Sequence, residues 1–240
     1  MKCALVLTLI TLLSSTSTQA QRAKWQVGLD AQLVFAHYRA SDPGNLLKPV
    51  FSVPTATGRL ILGRSLNGRG LFVESGLGYR QIPQATALQI HPFNGFSTIN
   101  GIGVWYLPIG LRQDLTTLLF AQHPPKFRLA LKAGTLNQFA ASEGVEKTTF
   151  AETGSGLSLW GHSNLTHPYS VALYTGIELG FPIRRIDFLL QWGQVYGFSE
   201  LLRTQITYQL NGSATQASIR NSGSALGGIG VGIRYHVVGR

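Results

Sequence analysis

The sequence predicts an all-β fold, an eight-stranded antiparallel up-and-down transmembrane β-barrel, on three observations. Segments of about ten or more residues alternate apolar and polar side chains with a period of two. The charges inside these segments fall on one face. The connections between them are alternately long and short.

Eight segments carry the alternation. The first runs from Trp25 to Tyr38, with Trp25, Val27, Leu29, Ala31, Leu33 and Phe35 opposite Gln26, Gly28, Asp30 and Gln32. The second, Thr55 to Arg64, is weaker: Gly58, Leu60 and Leu62 share one face, and Arg59, Ile61 and Gly63 share the other. The third is Gly70 to Ile82, where Leu71, Val73, Leu77 and Tyr79 alternate with Phe72, Glu74, Gly76, Gly78 and Arg80. The fourth, Ile99 to Arg112, sets Trp105, Leu107, Ile109 and Leu111 against Val104, Tyr106, Gly110 and Arg112. The fifth is Phe127 to Gln138, the sixth Tyr169 to Phe181, and the seventh Arg185 to Phe198. The eighth is Ala225 to Val238. Its parity slips at Gly227-Gly228, where a bulge is cheap because glycine tolerates unusual backbone angles.

Segment length favours a membrane. A strand of about eleven residues spans roughly 36 Å, or about 26 Å along the membrane normal at a tilt near 45°. The apolar band of an outer-membrane barrel is about 25 Å tall. Strands of a secreted soluble sandwich, the competing fold, average about five or six residues. The connections agree. Tyr38–Pro54, Pro83–Thr98, Ala140–Pro168 and Ser199–Ser224 are long, whereas Ser65–Arg69, centred on Asn67-Gly68, and Pro182–Arg184 are tight. Gln113 to Lys126 is intermediate, with room for a short helical turn. Barrels of this kind have short periplasmic turns and longer extracellular loops, so both termini are expected on the periplasmic side.

With the apolar faces toward lipid, the opposite faces build the lumen. Asp30, Glu74, Arg80, Arg112, Arg128, Lys132, Glu178, Asp187 and Arg234 all fall there. Arg or Lys on the lipid face near the midplane costs about 2–4 kcal/mol, which is the physical cause of the sorting. An eight-stranded barrel is just wide enough for its interior to fill with side chains. These charges are therefore expected to form a structural, ion-paired network rather than line an open channel. Trp25, Tyr79, Trp105, Tyr169, Phe181, Trp192, Tyr196, Phe198 and Tyr235 lie on lipid-facing positions, as interfacial girdles require.

The composition supports export and insertion. Residues 1–20 read as a signal peptide: Lys2, an apolar run from Ala4 to Leu13, and small residues at Thr18-Gln19-Ala20. The apolar run is about ten residues, too short for a spanning helix. Residues 21–240 then form one barrel domain. Cys3, the only cysteine, lies in the signal and precedes the apolar run, so neither a lipid-modified cysteine nor a disulfide is expected. Only 12% of residues are charged, about half the usual share. The net charge of +10 comes from scattered basic residues, which suit anionic lipid headgroups better than nucleic acid.

No reaction is specified. His162 and His167 share a connection without a carboxylate or cysteine at a ligand spacing. His162-Ser163 are neighbours on an extended chain and point apart, so they do not make a nucleophile and base. Gly223 to Gly232 lacks the Gly-Lys-Ser/Thr ending of a phosphate loop. No cofactor, metal site or catalytic residue is expected.

Three features carry a resemblance: the signal segment, Trp25-Gln-Val-Gly28 opening the first strand, and Trp105-Tyr-Leu-Pro-Ile-Gly-Leu-Arg112 in the fourth. With the glycine-rich last strand, Gly228 to Val238, they make the chain resemble the PorT-like outer-membrane β-barrels of Bacteroidota. It departs in ending Val-Val-Gly-Arg240, where such barrels often end on an aromatic residue. The resemblance implies the bacterial cell outer membrane, reached by export. The expected role is structural or interactive, a monomer in outer-membrane lipid whose long loops meet an extracellular partner. A small pore or transport accessory is the alternative, and a lipid-modifying outer-membrane enzyme is a further one.

Overall fold

Eight strands hydrogen-bond side by side, and the last pairs with the first. The protein is described by a computed structural model covering residues 25–45, 47–49, 54–67, 70–90, 94–119, 126–140, 148–153, 157–210 and 213–237. The expected signal, residues 1–20, lies outside these. The elements are β1 (Trp25–Ser41), β2 (Leu47–Pro49), β3 (Pro54–Ser65), β4 (Leu71–Ile90), β5 (Asn94–Asp114), α1 (Leu115–Leu119) and β6 (Arg128–Ala140). They continue with β7 (Thr148–Thr153), β8 (Leu157–Leu165), β9 (Tyr169–Ile183), β10 (Ile186–Gly197), β11 (Leu202–Leu210) and β12 (Ser213–Val237).

The ring runs β1-β3-β4-β5-β6-β9-β10-β12 and closes through antiparallel β12–β1 pairing, from Trp25↔Val237 upward. Each ring strand neighbours the next ring strand in the chain, so the barrel is up-and-down with eight staves. All eight expected segments are present. The weak second segment is fixed by its neighbour: β3 pairs with β1 without interruption from Trp25↔Arg64 to Phe35↔Pro54. The expected slip in the last strand is a register shift between Gly228 and Ala225, seen against both β10 and β1.

One end carries the tight connections. Leu66 N donates to Leu71 O at 2.9 Å, the Asn67 side chain accepts from Leu71 N at 3.0 Å, and Gly70 adopts φ 88°. Ile183 pairs with Ile186 across the second turn. The Gln113–Lys126 connection holds α1, with Thr116 bonded to Asp114. Trp25 and Val237 lie at this end too.

The other end corrects an expectation. The four connections there are not plain loops. β4 and β5 run on as a hairpin to Ile90↔Asn94, and β2 pairs beside β4. β7 and β8 pair within the Ala140–Pro168 connection. β11 pairs with β8 and with the first half of β12. A four-stranded sheet β12-β11-β8-β7 therefore rises from the barrel wall. In the first half of β12 the apolar alternation is missing because its exposed residues are polar. Along β12 the exposed positions change from Ser213, Gln216 and Arg220 to Leu226, Ile229, Val231, Ile233, Tyr235 and Val237.

That change marks a belt. Large apolar side chains stand exposed around the whole ring, from Trp25 to Phe35 on β1, Trp105 to Leu111 on β5 and Ile186 to Tyr196 on β10. All nine aromatics expected on the outside are there. Tyr79, Trp105, Phe139 and Tyr169 are register partners across four adjacent strands and form one aromatic row. Successive ring centroids at its two ends are 5.1 Å and 5.2 Å apart. From Leu226 to Val237 the belt measures roughly 36 Å along the strand, or about 26 Å at a 45° tilt.

Candidate functional site: the charged lumen

The inward face is set by the same parity, and it is polar. Glycine sets how the side chains fit. A Cβ on Gly78 would lie 2.2 Å from the Tyr106 ring, and one on Gly110 would meet Tyr174 Oη at 2.3 Å. Missing side chains on one strand thus make room for large ones on its neighbour.

The charges stack in tiers from the end that holds Trp25 and Val237. In the lowest, Arg128 Nη1 donates to Asp187 Oδ2 at 3.0 Å, and His236 Nε2 lies 2.7 Å from the same oxygen. The next tier is centred on Glu178, which is 1% exposed. Arg112 Nε donates to it at 2.8 Å and Arg234 Nη2 at 3.1 Å, while Lys132 Nζ completes the cluster. Glu74 adds a second carboxylate, 3.3 Å from Arg234 Nη2 and 3.9 Å from Arg112 Nε, and accepts from Gln26 Nε2 at 2.8 Å. Above it, Arg59 grips Asp30 Oδ2 through Nε at 2.8 Å and Nη2 at 2.6 Å. Gln191 Oε1 ties these tiers together, accepting from Arg59 Nη2 at 3.0 Å and Lys132 Nζ at 3.1 Å. Charges so desolvated are tolerable only when paired in this way.

Arg80 stands apart from the network. It is buried and bonds to Gln138, and its Nη2 donates to the Gly223 carbonyl at 2.7 Å. Among the described residues no carboxylate pairs with it. Nearby, Thr57 Oγ1 donates to the Tyr79 carbonyl at 3.0 Å and so accepts from Tyr106 Oη at 2.9 Å.

Of the nine charges expected in the lumen, eight enter ion pairs and Arg80 does not. The sequence reading missed Arg59, His236, Gln26 and Gln191 as members. Parity alone marked them: Arg59 lies on the face of Ile61, and His236 follows Arg234 by two residues.

The far mouth is stoppered by apolar side chains. Leu201 and Leu202 pack against Ile82, Ile102 and Val104, with Ala140 and Leu165 at the edge. β12 bends over this plug at Gly223, whose φ is 71°; a Cβ there would sit 2.7 Å from Gln138 Oε1 and 2.9 Å from Leu201 Cδ1. The rim has its own polar contacts. Tyr208 Oη donates to Asp42 Oδ1 at 2.8 Å, pinning β11 to the connection after β1. Burial, and then the Asp42 carboxylate, push the Tyr208 phenol up to about 12. Glu200 accepts from Arg203 Nε at 2.6 Å and Thr166 Oγ1 at 3.0 Å. Partial burial alone would raise its carboxyl, but these donors hold it below the usual carboxylate range. Ser163 shares a hydrogen bond of 2.7 Å with Thr204, and His167 Nδ1 lies 2.9 Å from the Glu200 carbonyl. His162 and Ser163 follow one another on β8 and take opposite faces.

No family model and no curated protein matches the chain. Among solved structures it is similar to the outer membrane protein OprG from Pseudomonas aeruginosa, at 12% identity over 91% of this chain and 100% of that one, with a TM-score of 0.49. It is also similar to Neisserial surface protein A, at 11% identity over 89% of this chain and 97% of that one, with a TM-score of 0.43. A third is a major outer membrane protein from Thermus thermophilus, at 11% identity over 88% and 98% of the two chains, TM-score 0.43. The assignment of an eight-stranded barrel rests on the strand register itself.

Proposed function

We propose that this chain is a monomeric bacterial outer-membrane β-barrel whose role is structural or interactive. The observation that carries this reading is the exposed apolar belt, about as tall as a bilayer core, around an interior of paired charges. No aqueous surface would tolerate so large a continuous apolar band. The belt encircles every stave, which suits a barrel surrounded by lipid. The strand motifs that resemble those of PorT-like barrels of Bacteroidota fit the same placement. On this reading residues 1–20 direct export, the tight turns face the periplasm, and the hairpin sheet stands outside the cell.

The rim supports a surface role. Arg39, Arg220 and Arg203 are register partners across β1, β12 and β11, just beyond the belt. Like charges directly opposite one another are destabilising unless an anion intervenes; Glu200 supplies one, 2.6 Å from Arg203 Nε and 3.7 Å from Arg220 Nε, and on this reading the row stands near the level of lipid headgroup phosphates. Beyond it the sheet offers a polar surface to a partner. The packed lumen and the apolar stopper argue against a conducting pore.

Outer-membrane fractionation with heat-modifiable gel mobility tests the placement. A detergent-free soluble monomer overturns it. Liposome swelling tests the pore alternative, and mass spectrometry of lipid A from cells with and without the protein tests the enzyme alternative.

A further inference from the structure

The lumen contains one cavity whose lining is chemically one-sided. Its volume is about 50 Å³, room for roughly three water-sized bodies. Arg59, Arg80 and Lys132 line it, and among the described residues around it there is no carboxylate. Arg59 and Lys132 already share Asp30 and Glu178, whereas Arg80 has no acidic partner.

The cavity has a cause in the sequence. Gly176, Gly193 and Gly228 are register partners on β9, β10 and β12, and all three point inward. At Gly110 and Gly134, by contrast, Tyr174 covers the space a side chain would take. Over Gly176 and Gly193 the near atoms are backbone only. Over Gly228 the Val34 side chain comes to 3.3 Å, so the bare floor beneath the cations is the Gly176–Gly193 pair. One lining residue also brings a buried polar atom without a hydrogen-bond partner, the donor Arg80 Nε. A bound water could accept from it but would supply no countercharge.

We propose that this cavity is a binding site for a small anion, a halide or a planar oxyanion of about four heavy atoms or fewer, with Arg80 as its principal partner. The anion supplies the countercharge that Arg80 lacks and accepts from its orphaned donor. Lys132 and Arg59 line the same void and add positive potential. The site follows from the lumen alone and does not depend on which membrane holds the barrel.

The test uses the full mature barrel in detergent at constant ionic strength, with bromide replacing gluconate, an anion too large for the void. Wild-type protein is expected to resist heat modification to a temperature higher by about 5–10 °C in bromide, the shift a ligand well above its Kd produces. Arg80→Gln should lose that shift and melt no lower than wild type in gluconate, because it removes a buried unpaired charge. Arg203→Gln, at the exposed rim, should keep the shift. Crystals in bromide should show an anomalous peak between Arg80 and Lys132, which decides the matter even where Arg80→Gln fails to fold. A cavity holding water only in those crystals overturns the proposal. So does a wild-type melting temperature indifferent to bromide, or a full shift retained by Arg80→Gln.

Discussion

Glu178→Gln isolates the lumen network most directly. The amide preserves shape and removes the single charge on which Arg112, Arg234 and Lys132 converge. After the change Arg234 and Arg112 keep only Glu74, at 3.3 Å and 3.9 Å, and Lys132 keeps its hydrogen bond to Gln191 but no ion pair among the described residues. Removing one partner of a buried pair costs about 3–5 kcal/mol, because the other charge stays desolvated. In a chain of roughly 200 residues each kcal/mol moves the midpoint by about 2–4 °C, so a drop of about 6–20 °C is expected. Stepwise heating of the folded barrel in detergent, read as the change in gel mobility, measures it. Arg128→Gln is the comparator. Its side chain is 34% exposed, so losing its bond to Asp187 should cost about 1 kcal/mol or less. Equal drops for the two variants would refute the idea that depth of burial sets the value of each pair. An unchanged Glu178→Gln midpoint with altered conductance would refute the structural role of the network.

Other perturbations read other parts of the molecule. Leu201→Ala empties part of the fully buried stopper and should cost about 2–4 kcal/mol, read as faster proteolysis of the 199–224 segment while the staves stay folded. Gly134→Val should block folding, since a Cβ there lies 2.3 Å from the Ile109 carbonyl and 2.8 Å from the Tyr174 ring; a normally heat-modifiable variant would contradict that packing. Because its folded carboxyl is depressed, Glu200 contributes stability above about pH 4.5 that is lost as pH falls through the lower folded value. Hydrogen-exchange protection at the rim, corrected for the intrinsic rate at each pH, should fall there in wild type and stay level in Glu200→Gln. Tyr208 has the opposite sign: its bond to Asp42 is fully present below about pH 10 and lost as pH rises through about 12. Tyr208→Phe should loosen β11 at neutral pH and abolish that alkaline transition.

The staves were legible because lipid and lumen impose opposite demands on successive residues, which writes period two into Trp105–Arg112 or Leu226–Val237. The hairpin extensions were not: in Ser213–Ser224 exposed positions are held by Ser213, Gln216 and Arg220, and the apolar period fades. Parity also placed all nine chosen charges inside. It could not pair them, since partners such as Lys132 and Glu178 stand on different staves and meet only through register. Arg80 shows the limit. Its face is plain from Tyr79 and Gln81, but its lack of an acidic neighbour depends on Gln138 and Gly223, far along the chain. The glycine floor was hidden for the same reason, because Gly176, Gly193 and Gly228 become a row only once three strands align.

β12 joins two parts of the molecule in one uninterrupted strand of 25 residues. Its later half is the seam that closes the ring against β1, and its earlier half is the spine of the exposed sheet. Closing the β12–β1 seam therefore completes the wall and the base of the rim together, and a barrel with an open seam would also lack a finished outer surface. Mechanically, a pull on that surface runs straight down β12 and loads the β12–β1 ladder in shear, with many hydrogen bonds sharing the force. Whatever grips the rim grips the closure of the barrel.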